Sequence, residues 1–147
     1  MVNRVIQIFL TSLLIVCNSY ALDAEHPIDV ELNACLAKEE NMSTAGMANC
    51  AIKAIDSWDK EMNIVYNALM KKLDKNAKEK LKASQLAWLK YRDLEYKNIY
   101  SIHSKLQGTM FIPVRHQNVF EITKHRALEL NSYLSLFKDG NGKSMSG

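Results

Sequence analysis

At 147 residues, with 19 Lys and Arg against 16 Asp and Glu, the chain has room for one domain and a net charge of +3. So even a balance excludes a charge-driven nucleic-acid binder. Two prolines and no alternating apolar–polar run exclude a β-rich fold, leaving long stretches of helix-forming Ala, Leu, Lys, Glu and Met.

The N-terminus reads as a targeting signal over residues 1–21. Arg4 supplies the positive start, Val5 to Val16 is mostly apolar, and Ser19-Tyr20-Ala21 offers small residues at a cleavage site. The apolar run is too short to span a bilayer well. A rival reading has Cys17 acylated as in a lipoprotein, but the bulky Val16 before it argues against that. Cleavage before Leu22 predicts a periplasmic or secreted chain with no membrane span. Without Arg4 that chain holds 18 basic and 16 acidic residues, a net charge of +2.

Leu22 to Asn41 is an acidic lead-in. It carries Asp23, Glu25, Asp29, Glu31, Glu39 and Glu40 against Lys38 alone, with a short helix expected from Ile28 to Lys38. Two cysteines remain after the signal, Cys35 and Cys50. In an oxidising compartment such a pair closes, and a loop of about 15 residues is worth roughly 3 kcal/mol.

Ser43 or Thr44 can cap the next helix, whose apolar stripe is Ala51, Ile55, Trp58, Met62, Val65, Leu69 and Leu73. Asp74-Lys75 breaks the run. Asn76 with Glu79 fits an N-cap and its capping-box partner, opening a helix from Ala77 to Lys105 with Leu81, Trp88, Tyr96, Ile99 and Ile102 on one side. Lysines crowd Lys71 to Lys82 and predict a basic corner. Gln107 to Val114 reads as a loop around Gly108 and Pro113, with Met110, Phe111 and Ile112 at its apolar tip. A last helix is expected from His116 to Phe137 with Val119, Ile122, Leu130, Leu134 and Phe137 inward. Residues 138–147 have nothing to bury and are expected to be disordered. The fold class is therefore all-α: one domain over 22–137, a small antiparallel helical bundle built on a long helical hairpin.

A hairpin turning between Lys75 and Asn76 brings Asp59 level with Arg92, Asn63 with Trp88, and Tyr66 with Gln85. Arg92 then pairs with Asp59 by two prongs, Tyr66 satisfies Gln85, and the Trp88 indole lies near Asn63. This layer is expected to fix helix register.

The same residues carry a resemblance. Trp58 to Leu69 (WDKEMNIVYNAL) followed by Leu81 to Asp93 (LKASQLAWLKYRD) is similar to the paired signature of the LprI N-terminal, or lysozyme-inhibitor-LprI-like, domain family of small exported bacterial proteins. Asp59, Met62, Asn63, Tyr66, Gln85, Trp88, Arg92 and Asp93 match its pattern, with Met62 in place of the usual Leu. Gly108-Thr109 and Thr123-x-x-Arg126 echo its C-terminal part. Two cysteines that the family often has fall here on Tyr96 and Asn118, so a second bridge is missing as a pair.

The resemblance implies a protein partner. One function is inhibition of a cationic lysozyme-like muramidase through Asp23 to Glu40, with Glu31, Glu39 and Glu40 as contacts. The alternative is an envelope structural or interaction protein, such as a toxin-immunity or secretion-accessory factor, docking through Met110, Phe111 and Ile112. No nucleophile-and-base motif, phosphate loop or metal-ligand spacing stands out, and Glu121 with His125 reads as a surface pair, so no catalysis, metal or cofactor is expected.

Overall fold

A computed structural model describes residues 25–137. The expected signal peptide, Cys17 and the tail from Lys138 onward lie outside them. Four helices follow in order: α1 (Pro27–Leu36), α2 (Thr44–Lys72), α3 (Lys75–His103) and α4 (Phe111–Ser135), with a 3-10 turn (Glu39–Asn41) between α1 and α2. Ser43 caps α2, its hydroxyl accepting from the Gly46 N–H at 3.0 Å.

α2 and α3 form the expected antiparallel hairpin, but its turn is tighter than the sequence suggests. Leu73 ends α2 in an extended conformation and Asp74, not Asn76, caps α3, its Oδ1 accepting from the Ala77 N–H at 2.8 Å. α4 also starts early, at Phe111 rather than His116. Pro113 had read as a breaker, yet in a first helical turn its missing N–H has no partner to lose. Gly108 makes the preceding bend with a φ of 103°, a backbone region other residues avoid.

α2 packs most closely on α4, with which it runs parallel. Met47 and Ala51 lie against Pro113 to Gln117, and Asp56 and Asp59 lie near Thr123. α3 runs antiparallel to both, and α1 runs back along α2 on the other side, as its Asp29–Trp58 and Cys35–Cys50 links show. The core is the stripe Cys50, Ala54, Trp58, Met62, Val65 and Leu69 of α2, sealed by Leu32 of α1 and by Phe120, Ala127 and Leu130 of α4. Trp58 is fully buried. The expected stripes fray at their ends, for Ile102 and Phe137 are exposed.

The disulfide Cys35–Cys50 is present and ties α1 to α2. The chain between the two cysteines turns back tightly enough that a Cβ on Gly46 would stand 2.6 Å from the Asn41 backbone. Only glycine fits there.

Candidate functional site

Three places hold the residues singled out in the sequence. The first is the polar layer of the hairpin. Arg92 does reach Asp59, but through one Nη1–Oδ1 contact of 3.5 Å, not two prongs. Its Nε and Nη2 instead donate to Asp93 Oδ1 at 3.1 and 2.9 Å, and its guanidinium lies 5.6 Å from the Trp88 ring and 5.7 Å from the Tyr96 ring. Asp59 keeps 43% of its side chain exposed. Asn63 does not meet Trp88, because its amide donates to the Asp59 carbonyl at 2.8 Å and to its carboxylate at 3.2 Å. Gln85 does not meet Tyr66 either. Its Oε1 accepts from Arg126 Nε at 3.0 Å and its Nε2 points to Met62 Sδ at 3.6 Å.

The reason for these differences is α4, which supplies what a two-helix register cannot include. Arg126 is the buried guanidinium, only 6% exposed. It holds Gln85, reaches Ser84 Oγ at 3.3 Å, pairs with Glu129 and faces Trp88 at 5.9 Å. That hydrogen bond is the main reason the Glu129 pKa lies below the usual carboxylate value. The sole sign of Arg126 in the sequence was the Thr123-x-x-Arg126 echo.

Between α2 and α3 runs an open groove of about 410 Å³, lined by Asp56, Asp59, Lys60, Arg92 and Tyr96, with Thr123 of α4 among its walls. Tyr96 and Thr123 share a hydrogen bond of 2.6 Å. Burial pushes the Tyr96 hydroxyl above the ordinary tyrosine pKa, against the lowering pull of Thr123 and Arg92. Asn118 pairs with His103 Nε2 at 3.2 Å. The two positions that stand in for the family's second bridge therefore each contribute an α3–α4 hydrogen bond, to different partners.

The second place is the acidic lead-in, which divides. Asp29 turns inward, binding Lys124 Nζ at 2.8 Å and accepting from the Trp58 indole N–H at 3.3 Å. It welds α1 to α2 and α4 and is lost to any partner. His26 stacks on Trp58, with ring centroids 4.3 Å apart. Glu31, Glu39 and Glu40 stay exposed, Glu31 at the rim of a cleft of about 200 Å³ that Cys35 and Cys50 line between α1 and α2. Asp23 lies outside the described residues.

The third place is the expected tip. Met110 is 63% exposed, while Phe111 and Ile112 are half-buried in the first turn of α4. Met110 borders an apolar groove of about 390 Å³ with Leu36, Met47, Ala51, Pro113 and Val114.

Among the described residues no three His, Cys, Asp or Glu side chains gather as a metal site, and no helix is long and apolar enough to cross a membrane. Fold and site define a disulfide-tied helical bundle whose inward charged residues, Arg126 and Asp29, join its helices and whose surface presents acids and apolar groups. The model of the family "Lysozyme inhibitor LprI" matches residues 29–130, and the chain belongs to that family. A crystal structure of an uncharacterized protein from Burkholderia thailandensis is similar, with a TM-score of 0.73 and 29% identity over 78% of this chain and 56% of that one. The chain thus spans a little over half the length of that protein. No curated protein matches it.

Proposed function

We propose that the protein is exported and binds a cationic, lysozyme-like muramidase without catalysis of its own. Membership of the lysozyme-inhibitor family over residues 29–130 is the observation that carries this reading. The exposed carboxylates Glu31, Glu39 and Glu40 beside the disulfide supply a surface of the required sign. The net charge of +2 expected after cleavage does not oppose it locally, because Lys71 and Lys72 end α2 and Lys75 to Lys82 open α3, at the opposite end of α2 from Glu39 and Glu40. From the start of α2, which Glu39 and Glu40 precede, to Lys71 is about 40 Å along the helix, several times the Debye length of about 8 Å at physiological salt, whereas Glu31 packs level with Ser57 and lies about 20 Å from Lys71 along the axis. Lys38 and Lys53 line the same cleft as Glu31, so at this edge the three carboxylates stand against two ammonium groups.

The test is protection of bacterial cells from lysis at low salt and in molar excess. Replacing Glu31, Glu39 and Glu40 together with Gln should slow association several-fold and leave the bundle folded. Replacing Lys78, Lys80 and Lys82 should leave inhibition intact. Absence of protection against every lysozyme tried sinks the reading. The apolar groove beside Met110 favours a second one, an envelope interaction protein of the immunity or secretion-accessory kind. Capture of a partner that Met110→Asp and Val114→Asp abolish would support it.

A further inference from the structure

α3 is amphipathic in two opposed senses. Its inward arc carries Gln85, Trp88, Arg92, Tyr96 and Ile99. At about 100° per residue, Leu86, Tyr91, Leu94 and Ile102 fall on the opposite arc, roughly 160° wide, over about 24 Å of helix. They are not covered: Leu86 is 58% exposed, Tyr91 53%, Leu94 58% and Ile102 55%.

The charges on this arc have one sign. From Leu86 to Ile102, the span of the apolar positions, it bears Lys90 and Lys97 and no carboxylate; Glu79 shares its azimuth but lies about 10 Å before Leu86 along the helix. The acids of that stretch, Asp93 and Glu95, sit at its edges, where Asp93 accepts from Arg92 and Glu95 from Asn98. Lys90 and Lys97 stand among the apolar positions, where long stems can lie along them while the ammonium groups reach outward.

We propose that this outer face of α3 rests on an anionic membrane surface, independently of any muramidase partner. A second copy of the chain is a poor occupant, since face-to-face pairing would set lysine against lysine. A partner helix reads a narrow seam of apolar residues. Here four apolar side chains spread over a broad convex front with cations between them. Such a front suits a flat interface that accepts each side chain separately, with Lys at the headgroups and Leu, Ile and Tyr at the acyl boundary.

The experiment uses the chain without residues 1–21, whose apolar run would itself bind lipid; the described fold begins at Glu25 and is complete in that piece. It should sediment at low salt with vesicles of phosphatidylglycerol and phosphatidylethanolamine, and not with phosphatidylcholine alone. Lys90→Gln with Lys97→Gln should weaken partitioning about 25-fold, at about fivefold for each lysine near the surface. Leu86→Glu with Leu94→Glu should abolish it while leaving the thermal melt unchanged. Soluble polyglutamate at matched charge should not displace the protein. No sedimentation with anionic vesicles, equal sedimentation with phosphatidylcholine, or wild-type behaviour of both variants would overturn the proposal. So would displacement by polyglutamate, which would mark the face as a general acid-binding surface.

Discussion

α2 and α3 are the same length, 29 residues each, and both read in sequence as amphipathic stripes built around a tryptophan. They do opposite work. α2 buries nine residues, small ones near its start and Trp58, Met62, Val65 and Leu69 further on. α3 buries two, Gln85 and Ile99. Equal length and similar periodicity thus conceal unequal burial, because burial depends on how many neighbours a helix has. α2 is contacted by α1, by α4 and by the 3-10 turn, whereas α3 leans mainly on α4. The helix carrying half of the family signature is therefore the loosely held one, and its polar residues are tethered more to α4 than to α2.

The two tryptophans put the sharpest test to that contrast. Trp58→Ala should cost about 4 kcal/mol in urea unfolding, since the ring is fully buried and also donates to Asp29. Trp88→Ala, half-buried beside two guanidinium groups, should cost about 1–2 kcal/mol. Equal losses would mean that α3 contributes as much to the core as α2.

The two arginines come next. Arg126→Ala should cost about 2 kcal/mol, because Gln85 is left buried without its donor. Arg92→Ala should cost less than about 1 kcal/mol, because its contact with Asp59 is long and solvent-screened. A reversed order would restore the simple hairpin register as the organising layer.

The smallest effect is expected at Tyr96. Burial raises its pKa in the folded chain. Stability from a raised group is fully present below the unfolded pKa, about 10, and is lost as pH climbs through the folded value. The advantage of the wild type over Tyr96→Phe should therefore hold at neutral pH and shrink above about pH 10. A gap that stays constant into alkali would show that the hydroxyl is not held in its neutral form by the α3–α4 contact.

The legible part of the molecule was local or rested on the pairing of two cysteines. Helix number, the Ser43 cap, the α2 stripe and the Cys35–Cys50 bridge all followed from spacing, capping or the expectation of export. Asp59 and Arg92 were brought together by hairpin register, and they do touch. The partners of Gln85 and Asp29 escaped it. Arg126 and Lys124 sit on a helix whose position no register rule within a hairpin can supply. Asp29 looked like one more surface acid, yet its neighbour Leu32 is a core residue on the same helical face, which turns Asp29 toward Trp58. The basic, apolar outside of α3 was hidden for a related reason: its exposed leucines are no different in letter from buried ones.

The parallel packing of α2 on α4 also sets an order of events. The stripe from Ala51 to Leu69 finds its main cover in residues 113–134, with the whole of α3 intervening. A chain threaded from its N-terminus therefore carries an open hydrophobic seam until its last helix arrives. Local helix formation cannot close it, so the slow step should be the long-range docking of α4 rather than the growth of any helix. Until then Trp58 and its neighbours are the surface most open to mispairing with another chain. Cutting the chain within the 106–110 turn should leave α2 without its principal cover, and the remainder prone to aggregation.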